Sequence, residues 1–314
     1  MPLVAPTPIA EPLTAGDVLT LPELRHLRRI SGVRSSWLLA HCWATIAGAA
    51  AVYAAWPSAL TLVLAIAVIG SRQLGLLVLL HEGVHWRLYA RPAPNNRAAT
   101  WLCAWPLWAE LPEYRRRHHL HHRYTQRADD PDRPLVADLP VARRQLWADV
   151  ARDLAGVTAW RRARAALRAD AVPGAGVGAT WRRLRAPVAA NAVLLAICGA
   201  SGHWEIYPLL WLLPLATWHQ LLTRIRNLAE HGLASASDDP LRNTRTVRAG
   251  PLARAFLAPY WVNYHLEHHL LTFVPCWKLR RAHALLRAKG YAPRMELAGS
   301  YLDVIRRAAG RASR

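Results

Sequence analysis

Two long windows of the chain, 37–71 and 186–223, contain no lysine or arginine and consist mostly of apolar residues. Each window is about twice as long as the roughly 20 apolar residues that a membrane-spanning helix needs. Each is also interrupted near its middle, by WPS at 56–58 and by SGH at 201–203. The pattern therefore predicts an all-α integral membrane protein with two transmembrane helical hairpins, about four spans in total.

The chain is strongly basic: 40 Lys and Arg residues against 20 Asp and Glu residues leave a formal net charge of +20. Such a charge is typical of nucleic-acid-binding proteins, but a mean hydropathy of +0.04 with 15 tryptophans is not. The basic residues lie outside the two apolar windows, so the positive-inside rule places the Arg-rich segments in the cytoplasm and the hairpin turns outside. We therefore predict a bacterial inner-membrane protein with both termini in the cytoplasm, which contacts anionic lipids and no nucleic acid.

The predicted organisation is a single domain over 1–314. Its parts are a cytosolic N-terminal segment (1–35), a first hairpin (37–80), one part of a helical cytosolic cap (81–185), a second hairpin (186–223) and the other part of the cap (224–314). The tryptophan-rich stretch 99–111 is too short to span a membrane and is predicted to be an interfacial or re-entrant helix. The Arg/Ala-rich stretch 161–185 is typical of a surface loop or of an amphipathic helix on the bilayer. The first fifteen or so residues show no pattern of a cleavable signal peptide.

The 15 histidines are grouped rather than scattered. The groups are His81 and His85, then His118, His121 and His122, and then His265, His268 and His269. Residues three and four apart share one face of a helix, so each group directs its imidazoles to one side. Because several converging imidazoles form a transition-metal site, we predict that these groups bind metal.

Other histidines lack such neighbours and are predicted to be surface residues or satisfied core residues. These are His26, His41, His203, His219 and His283. His119 stands beside a group, but it lies about 100° around the helix from the shared face. We therefore do not expect His119 to be a ligand.

The sequences around the three groups resemble the histidine boxes of the membrane fatty acid desaturase and hydroxylase superfamily. HEGVH at 81–85, HHLHH at 118–122 and HLEHH at 265–269 match the patterns HxxxH, HxxHH and HxxHH in the family's order. NLAEH at 227–231 resembles the additional metal-site element of acyl-CoA desaturases. The resemblance covers roughly residues 35–290, and the combination of motifs is specific although each box alone is weak.

The resemblance implies an all-helical membrane enzyme whose cytosolic cap holds two non-haem irons. The family's ligand positions correspond to His81, His85, His118, His121, His122, His231, His265, His268 and His269. Asn227 corresponds to the family residue that holds a water near the metal. No catalytic residues are expected beyond this metal site. The implied activity is O2-dependent removal of hydrogen from an unactivated C–H bond of a lipid or fatty acyl chain, which introduces a double bond.

The chemistry of the residues agrees with that implication. Nine neutral imidazoles suffice for two metal centres of four or five nitrogen ligands each, with positions left for oxygen or water. Glu82, Glu230 and Glu267 each neighbour a candidate ligand. A carboxylate in such a position can orient an imidazole by accepting its second N–H, but a solvent-facing role is equally consistent with the sequence.

Several alternatives remain open at this stage. A hydroxylase or a carotenoid-ketolase-type oxygenase shares the same boxes. HEGVH also matches the HExxH pattern of zinc membrane proteases, in which the Glu is the general base, although this leaves the other groups without a role. A His-rich metal transporter or sensor would place histidines within the spans along a pathway.

The expected partners are a substrate and an electron donor. The substrate could be an acyl chain carried by coenzyme A, by acyl carrier protein or by a phospholipid. The sequence contains no HPGG haem motif, and its cysteines show no ferredoxin-like spacing: they are Cys42, Cys103, Cys198 and Cys276. We therefore predict an external donor of the ferredoxin, rubredoxin or cytochrome type.

Arg72 stands in an apolar run that otherwise predicts a membrane helix. A charge in such a run is costly unless it faces protein or water. The sequence is consistent with an Arg that marks the inner end of the span, pairs with a carboxylate of the cap, or lies near the substrate path.

Overall fold

The computed structural model describes residues 13–169 and 176–310, and these are mostly helical. The helices are α1 (Ala15–Val18), α2 (Leu21–Arg28), α3 (Gly32–Ala55), α4 (Ala59–Val84), α5 (Pro92–Ala99), α6 (Leu111–Tyr124), α7 (Arg143–Leu154), α8 (Val157–Ala169), α9 (Gly176–Ala200), α10 (Leu213–Ala216), α11 (Trp218–His231), α12 (Pro251–Phe256), α13 (His265–Leu270), α14 (Cys276–Ala288) and α15 (Tyr301–Ala308). Single π-helical segments occur at Thr100–Ala104 and Tyr207–Leu212, and 3₁₀ turns at Trp105–Leu107, Arg133–Leu135 and Pro259–Trp261.

The first predicted interruption is confirmed, because α3 ends at Ala55 and α4 begins at Ala59. Pro57 lies in the short connection, and the Ser58 hydroxyl accepts a hydrogen bond from the Thr61 amide at 3.2 Å. Such an N-cap satisfies one of the free amides at a helix start. The two helices pack against each other along their length, which gives one helical hairpin.

Helix α4 is the central element of the fold. Its second half is buried on all sides, as expected for a helix that is apolar around its whole circumference. It packs against α3, α5, α6, α10 and α11. It also continues past the predicted boundary at residue 80, so that His81 lies on its last turn. The first histidine group is therefore built on the end of the most buried helix.

The second predicted hairpin is less regular than the first. Its first arm is α9, which ends at Ala200 immediately before the predicted turn. Its second arm is divided into the π-helical segment, α10 and α11, with Thr217 in a non-helical conformation between α10 and α11. Pro208 and Pro214 lack the amide hydrogens that a continuous helix needs, which accounts for the division.

Three helices in the described part of the chain are long and apolar enough to cross a membrane. They are α3, α4 and the Thr180–Ala200 part of α9. Little of the α9 window is buried inside the protein, so most of this apolar helix is available to contact lipid. The fourth span stays a prediction, because its segment forms shorter pieces.

The stretches 99–111 and 161–185 are mostly helical in their described residues. Residues 99–111 include the π-helical and 3₁₀ turns after α5, which end where Trp108 adopts a positive φ of 59°. Trp101 and Trp108 are exposed, whereas Cys103 is buried, and this pattern agrees with a short non-spanning segment at an interface. The stretch 161–185 contains the end of α8 and the start of α9, and its residues 170–175 lie outside the described ranges.

The prediction of a purely helical fold needs one small correction. Strands β1 (Thr246–Val247) and β2 (Leu297–Ala298) form a two-residue parallel pair. Thr246 also bridges to Tyr264, the residue before α13. A strand of two residues is too short to show the alternation of apolar and polar residues that predicts a strand from sequence. The pair also depends on contacts between distant parts of the chain. It fixes the start of the helix that carries the third histidine group.

Candidate metal centre

The nine histidines that the sequence analysis singled out as ligands lie together in two groups. Within each group the potential ligand atoms all lie within 4.8 Å of one another. The five-histidine group consists of His81, His85, His118, His122 and His268, and the four-histidine group consists of His121, His231, His265 and His269. The groups adjoin, since the rings of His122 and His269 have centroids 4.1 Å apart.

Helices α6 and α13 contribute to both groups. On α6, the residues four apart, His118 and His122, join the five-histidine group, whereas His121 joins the other. On α13, His268 joins the five-histidine group, whereas His265 and His269 join the four-histidine group. Helix α4 and its C-cap supply only the five-histidine group, and the end of α11 supplies only the four-histidine group.

The end of α4 is held in place by side chains from its neighbours. The Gly83 carbonyl accepts hydrogen bonds from Asn95 Nδ2 and from a terminal nitrogen of Arg115, each at 2.9 Å. Arg115 Nε also donates to the Val84 carbonyl at 3.1 Å. The Arg115 side chain therefore satisfies carbonyls at the end of α4 that have no partner within the helix. Because Arg115 lies on α6, the same bonds hold the histidine groups of α4 and α6 at a fixed distance.

Gly83, within HEGVH, is required by close packing. A Cβ atom added at this position would lie 2.3 Å from the Cβ of Ala99 on α5. Any larger residue would push apart α4 and α5, and with them the turn that carries His85. The glycine therefore has a structural role inside a sequence motif whose histidines have a chemical one.

The imidazoles converge through their Nε2 atoms. In the five-histidine group, His118 Nε2 lies 2.9 Å from the Nε2 atoms of both His85 and His122. In the four-histidine group, His265 Nε2 lies 2.9 Å from His231 Nε2 and 3.0 Å from His269 Nε2. Each neutral imidazole has one ring N–H and one acceptor nitrogen, so protons alone cannot satisfy such an array well.

His81 also has a ring nitrogen that hydrogen bonds do not satisfy, because its buried Nε2 has no hydrogen-bond partner. A buried imidazole nitrogen without a partner is costly, unless its lone pair coordinates a metal. Convergent nitrogens in groups of five and four are a donor set suited to transition metals such as Fe and Zn. The residues present therefore fit two metal ions, one for each group.

Electrostatics keeps these imidazoles neutral. Burial, followed by the proximity of other imidazoles, lowers the pKa of six ligand candidates on α6, α11 and α13 well below the ordinary 6.5, and Arg226 adds to the effect at His231, His265 and His268. The six candidates are His118, His122, His231, His265, His268 and His269. Burial likewise lowers the pKa of His85 to about 3. The neutral form is the one that offers a lone pair to a metal.

Asp130 orients one of the imidazoles. It is 5% exposed, and its Oδ1 accepts a hydrogen bond from His121 Nδ1 at 2.8 Å. Burial opposes ionisation of Asp130, but the bonds from His121 and from the amides of Asp132 and Gln126 hold its pKa below the ordinary value. An ionised Asp130 fixes the His121 proton on Nδ1 and leaves Nε2 free for a metal. Asp130 has no predicted role from the sequence alone, where its only signal is the acidic stretch after the second box.

The three glutamates beside the ligand candidates are all buried, and they differ in what they bind. Glu230 Oε1 accepts from Arg226 Nε at 2.8 Å, and its Oε2 lies 3.4 Å from His265 Nδ1. Glu267 accepts from Thr246 Oγ1 and, at 2.6 Å, from His283 Nδ1. The possible solvent-facing role is therefore wrong for all three, and only Glu230 approaches a candidate ligand.

The protease interpretation of HEGVH disagrees with this geometry. Glu82 Oε2 accepts the Cys276 amide at 2.8 Å and so stabilises the start of α14. His81 and His85 belong to a group of five imidazoles, whereas a zinc protease needs an open site with a free general base. The structure also gives no support to a transport pathway, because α3 contains only His41 and α4 only His81.

The remaining sequence predictions concern residues at the edge of the site. Asn227 is half-buried on α11, one turn before His231. His119 is exposed, in agreement with its position off the shared helix face. His283 has a partner in Glu267, as expected for a satisfied core residue.

A large apolar cavity of about 680 Å³ lies apart from the nine candidate ligands. It is lined mainly by α3, α9 and the π-helical segment Tyr207–Leu212, and it touches α4 at Ile69. Ile69 precedes His81 by twelve residues, about 18 Å along a helix. None of the nine histidines lines this cavity, so it is not part of the candidate metal centre.

We expect Asp130→Asn to lower metal affinity by about 10- to 100-fold, since the orienting charge on His121 is lost while the side-chain shape is kept. Metal content after dialysis against a graded chelator series measures the effect. Asp129→Asn is the matched control, because Asp129 is the exposed neighbour. Equal metal retention by the two variants would contradict the orienting role of Asp130.

Comparisons with known proteins agree with the geometry. The family model of the fatty acid desaturases matches residues 54–298, a range that includes all nine histidines. Dihydrorhizobitoxine desaturase from Bradyrhizobium elkanii is 27% identical over 73% of this chain and 69% of the relative. With a family match over most of its length and histidine groups that could hold metal, the chain belongs to the fatty acid desaturase family.

Proposed function

We propose that the protein is an O2-dependent membrane desaturase that acts on a lipid or fatty acyl chain through a histidine-ligated di-iron centre. The observation that carries the proposal is the presence of nine imidazoles in two adjoining groups at the end of an apolar helix. Imidazole nitrogens suit both iron and zinc, and membership of the fatty acid desaturase family favours iron.

The five-histidine group would hold one iron and the four-histidine group the other. When bound, the two irons supply the oxidising chemistry that removes hydrogen from an unactivated C–H bond, which side chains cannot do. The chain's own residues position the site: the end of α4 anchors one group, and α11 and α13 anchor the other. Asn227, one turn before His231, is proposed to hold a water beside the metals.

The neighbouring polar residues keep the ligands in a single protonation state. Asp130 holds a proton on His121 Nδ1, as its 2.8 Å contact requires. Glu230 lies near His265 Nδ1 while Arg226 balances its charge. Burial of these groups keeps bulk water away from the ligands, and imidazoles in a water-poor environment stay neutral.

The name of the Bradyrhizobium relative favours desaturation over hydroxylation or ketolation as the outcome. For the substrate we propose an acyl chain carried by coenzyme A, acyl carrier protein or phospholipid. The four cysteines are free, and in the described part of the chain they form no cluster. An external electron donor of the ferredoxin, rubredoxin or cytochrome type is therefore part of the proposal.

The arrangement in the membrane is also a proposal. The Arg-rich segments flank the apolar windows, and by the positive-inside rule they belong in the cytoplasm. The histidine groups lie at the end of α4 away from the uncharged turn at 56–58. We therefore propose an inner-membrane protein of a bacterium, with the metal centre and both termini on the cytoplasmic side.

We expect expression in a host with a simple fatty-acid profile to yield a new double bond in extracted lipids, and the purified protein to contain iron. Gas chromatography with mass spectrometry, together with elemental analysis, measures both. A product heavier by one oxygen would instead identify a hydroxylase, and one zinc with no iron would contradict the proposed function. Bound iron without a lipid change would point to a specialised substrate, with dihydrorhizobitoxine as the first to test.

A further inference from the structure

Arg72 is a buried cation without a carboxylate partner in the described part of the chain. It lies on the membrane-spanning helix α4 and is 7% exposed. Its guanidinium donates to the Ala255 carbonyl and lies 5.8 Å from the centroid of the Tyr260 ring. These contacts satisfy part of its hydrogen-bonding capacity, and the aromatic ring offsets part of its charge, but no carboxylate neutralises it. A cation without a counter-ion in a membrane helix is costly, and this points to an anion that is not part of the chain.

The surroundings of Arg72 form a cationic cavity. The cavity has a volume of about 470 Å³, and Arg72, Arg254 and His41 line it together with α3 and α12 residues. Helices α3 and α12 and the turn Pro259–Trp261 contain no Asp or Glu. Glu82, the one acidic residue on α4, lies ten positions further on and binds the start of α14. The cavity therefore has two guanidinium groups and no carboxylate.

An apolar groove continues from this cavity along the hairpin. A second cavity of about 420 Å³ shares Thr45 and Val68 with the first and extends between α3 and α4 past Gly48 to Thr61. Eleven residues separate Thr61 from Arg72, about 16 Å along a helix. This is roughly half of the 30 Å hydrocarbon thickness of a bilayer, which is the depth that one leaflet's acyl chains occupy.

The groove is separate from the metal centre. His81 lies nine positions after Arg72, which places the two residues about 180° apart around α4. No candidate metal ligand lines either cavity. A ligand in the groove would therefore contact the opposite side of the helix from the histidines.

We propose that this groove is a binding site for an anionic phospholipid of the leaflet on the histidine side. Arg72 and Arg254 bind the phosphate of the headgroup, and one acyl chain lies along α3 and α4 beside Thr45, Gly48 and Val68. A basic pocket between membrane helices is the known physical form of such a site. The apolar groove favours a lipid over a free anion, because only a lipid uses the cavity and the groove together.

The test measures the binding of phosphatidylglycerol to the full-length protein in detergent micelles. The rise in melting temperature with lipid concentration yields an apparent Kd, with phosphatidylcholine as the neutral lipid and glycerol 3-phosphate as the free anion. We expect phosphatidylglycerol alone to stabilise the parent protein. Arg254→Gln and Gly48→Leu should each weaken its binding by about tenfold, the first by loss of a charge-assisted hydrogen bond and the second by filling the groove.

The variants are chosen so that folding does not obscure the result. Arg254 is exposed, and a Cβ added at Gly48 would contact nothing within 4 Å. Arg306→Gln on α15 is the matched control, since it removes one exposed charge that lines neither cavity and should bind phosphatidylglycerol as the parent does. Unchanged affinity in Arg254→Gln and Gly48→Leu would overturn the proposal. So would equal stabilisation by glycerol 3-phosphate, because the site would then bind a free anion.

Discussion

His121→Ala and His268→Ala are each expected to abolish desaturase activity and to remove bound metal. His121 belongs to the four-histidine group and His268 to the five-histidine group, so the two variants damage different halves of the centre. Loss of one ligand from a buried site also leaves an unfilled position that water or a proton occupies poorly. Metal content per chain and product formation from a reduced donor measure the two effects.

His119→Ala is the matched control for these variants. His119 lies on the same helix as His121, but it is exposed and belongs to neither group. Its replacement should leave both metal content and activity near those of the parent protein. A loss in His119→Ala as large as in His121→Ala would contradict the ligand assignment, and so would full metal content in His268→Ala.

The metal-free protein is expected to lose stability steeply as the pH falls below about 6.5, the ordinary pKa of histidine. Burial lowers the folded-state pKa of six histidines well below that value: His118, His122, His231, His265, His268 and His269. The unfolded chain therefore binds protons that the folded chain cannot. Each such histidine contributes stability that is present above pH 6.5 and is lost below it at about 1.4 kcal/mol per pH unit.

Melting temperatures of metal-free and metal-loaded protein across about pH 8 to pH 5 measure this effect. Bound metal competes with protons for the same nitrogens, so the metal-loaded protein should melt at a higher temperature and keep its stability to a lower pH. A melting temperature of the metal-free protein that does not change with pH would show that the imidazoles are not held neutral by burial.

The lipid groove and the metal centre use opposite sides of one helix. Because α4 is buried on nearly all sides, a ligand at Arg72 contacts the same rigid element that carries His81. This arrangement explains how a basic residue can lie in a membrane helix without a carboxylate partner. Under this proposal, part of the positive charge in this chain serves lipid binding rather than topology.

Much of the site was predictable because its pattern is local. Histidines spaced three and four apart lie on one helix face in any context, so His118, His121 and His122 were recognisable as a unit. The break between α3 and α4 was recognisable for the same reason, since Pro57 and the Ser58 cap act within a few residues. The division of the second hairpin's return arm was missed, because hydropathy over a window does not register where prolines interrupt a helix.

The contacts around the ligands were not predictable, because each joins residues that are distant in the sequence. Glu82 binds the amide of Cys276, and Glu267 binds Thr246 and His283. From the sequence all three glutamates were equivalent candidates for orienting an imidazole. The nearest carboxylate to a candidate ligand nitrogen belongs instead to Asp130, which follows the second box in an irregular turn.

The sequence by itself determined the family, the membrane windows and the nine histidines, because helical period and hydropathy act over short distances. Only the tertiary structure decided how those histidines divide. His121 and His122 are adjacent on one helix, yet they join different groups, and His268 joins residues of α4 and α6 rather than its own neighbours. Which imidazoles meet depends on how α4, α6, α11 and α13 pack, and packing is set by contacts that a single helix does not contain.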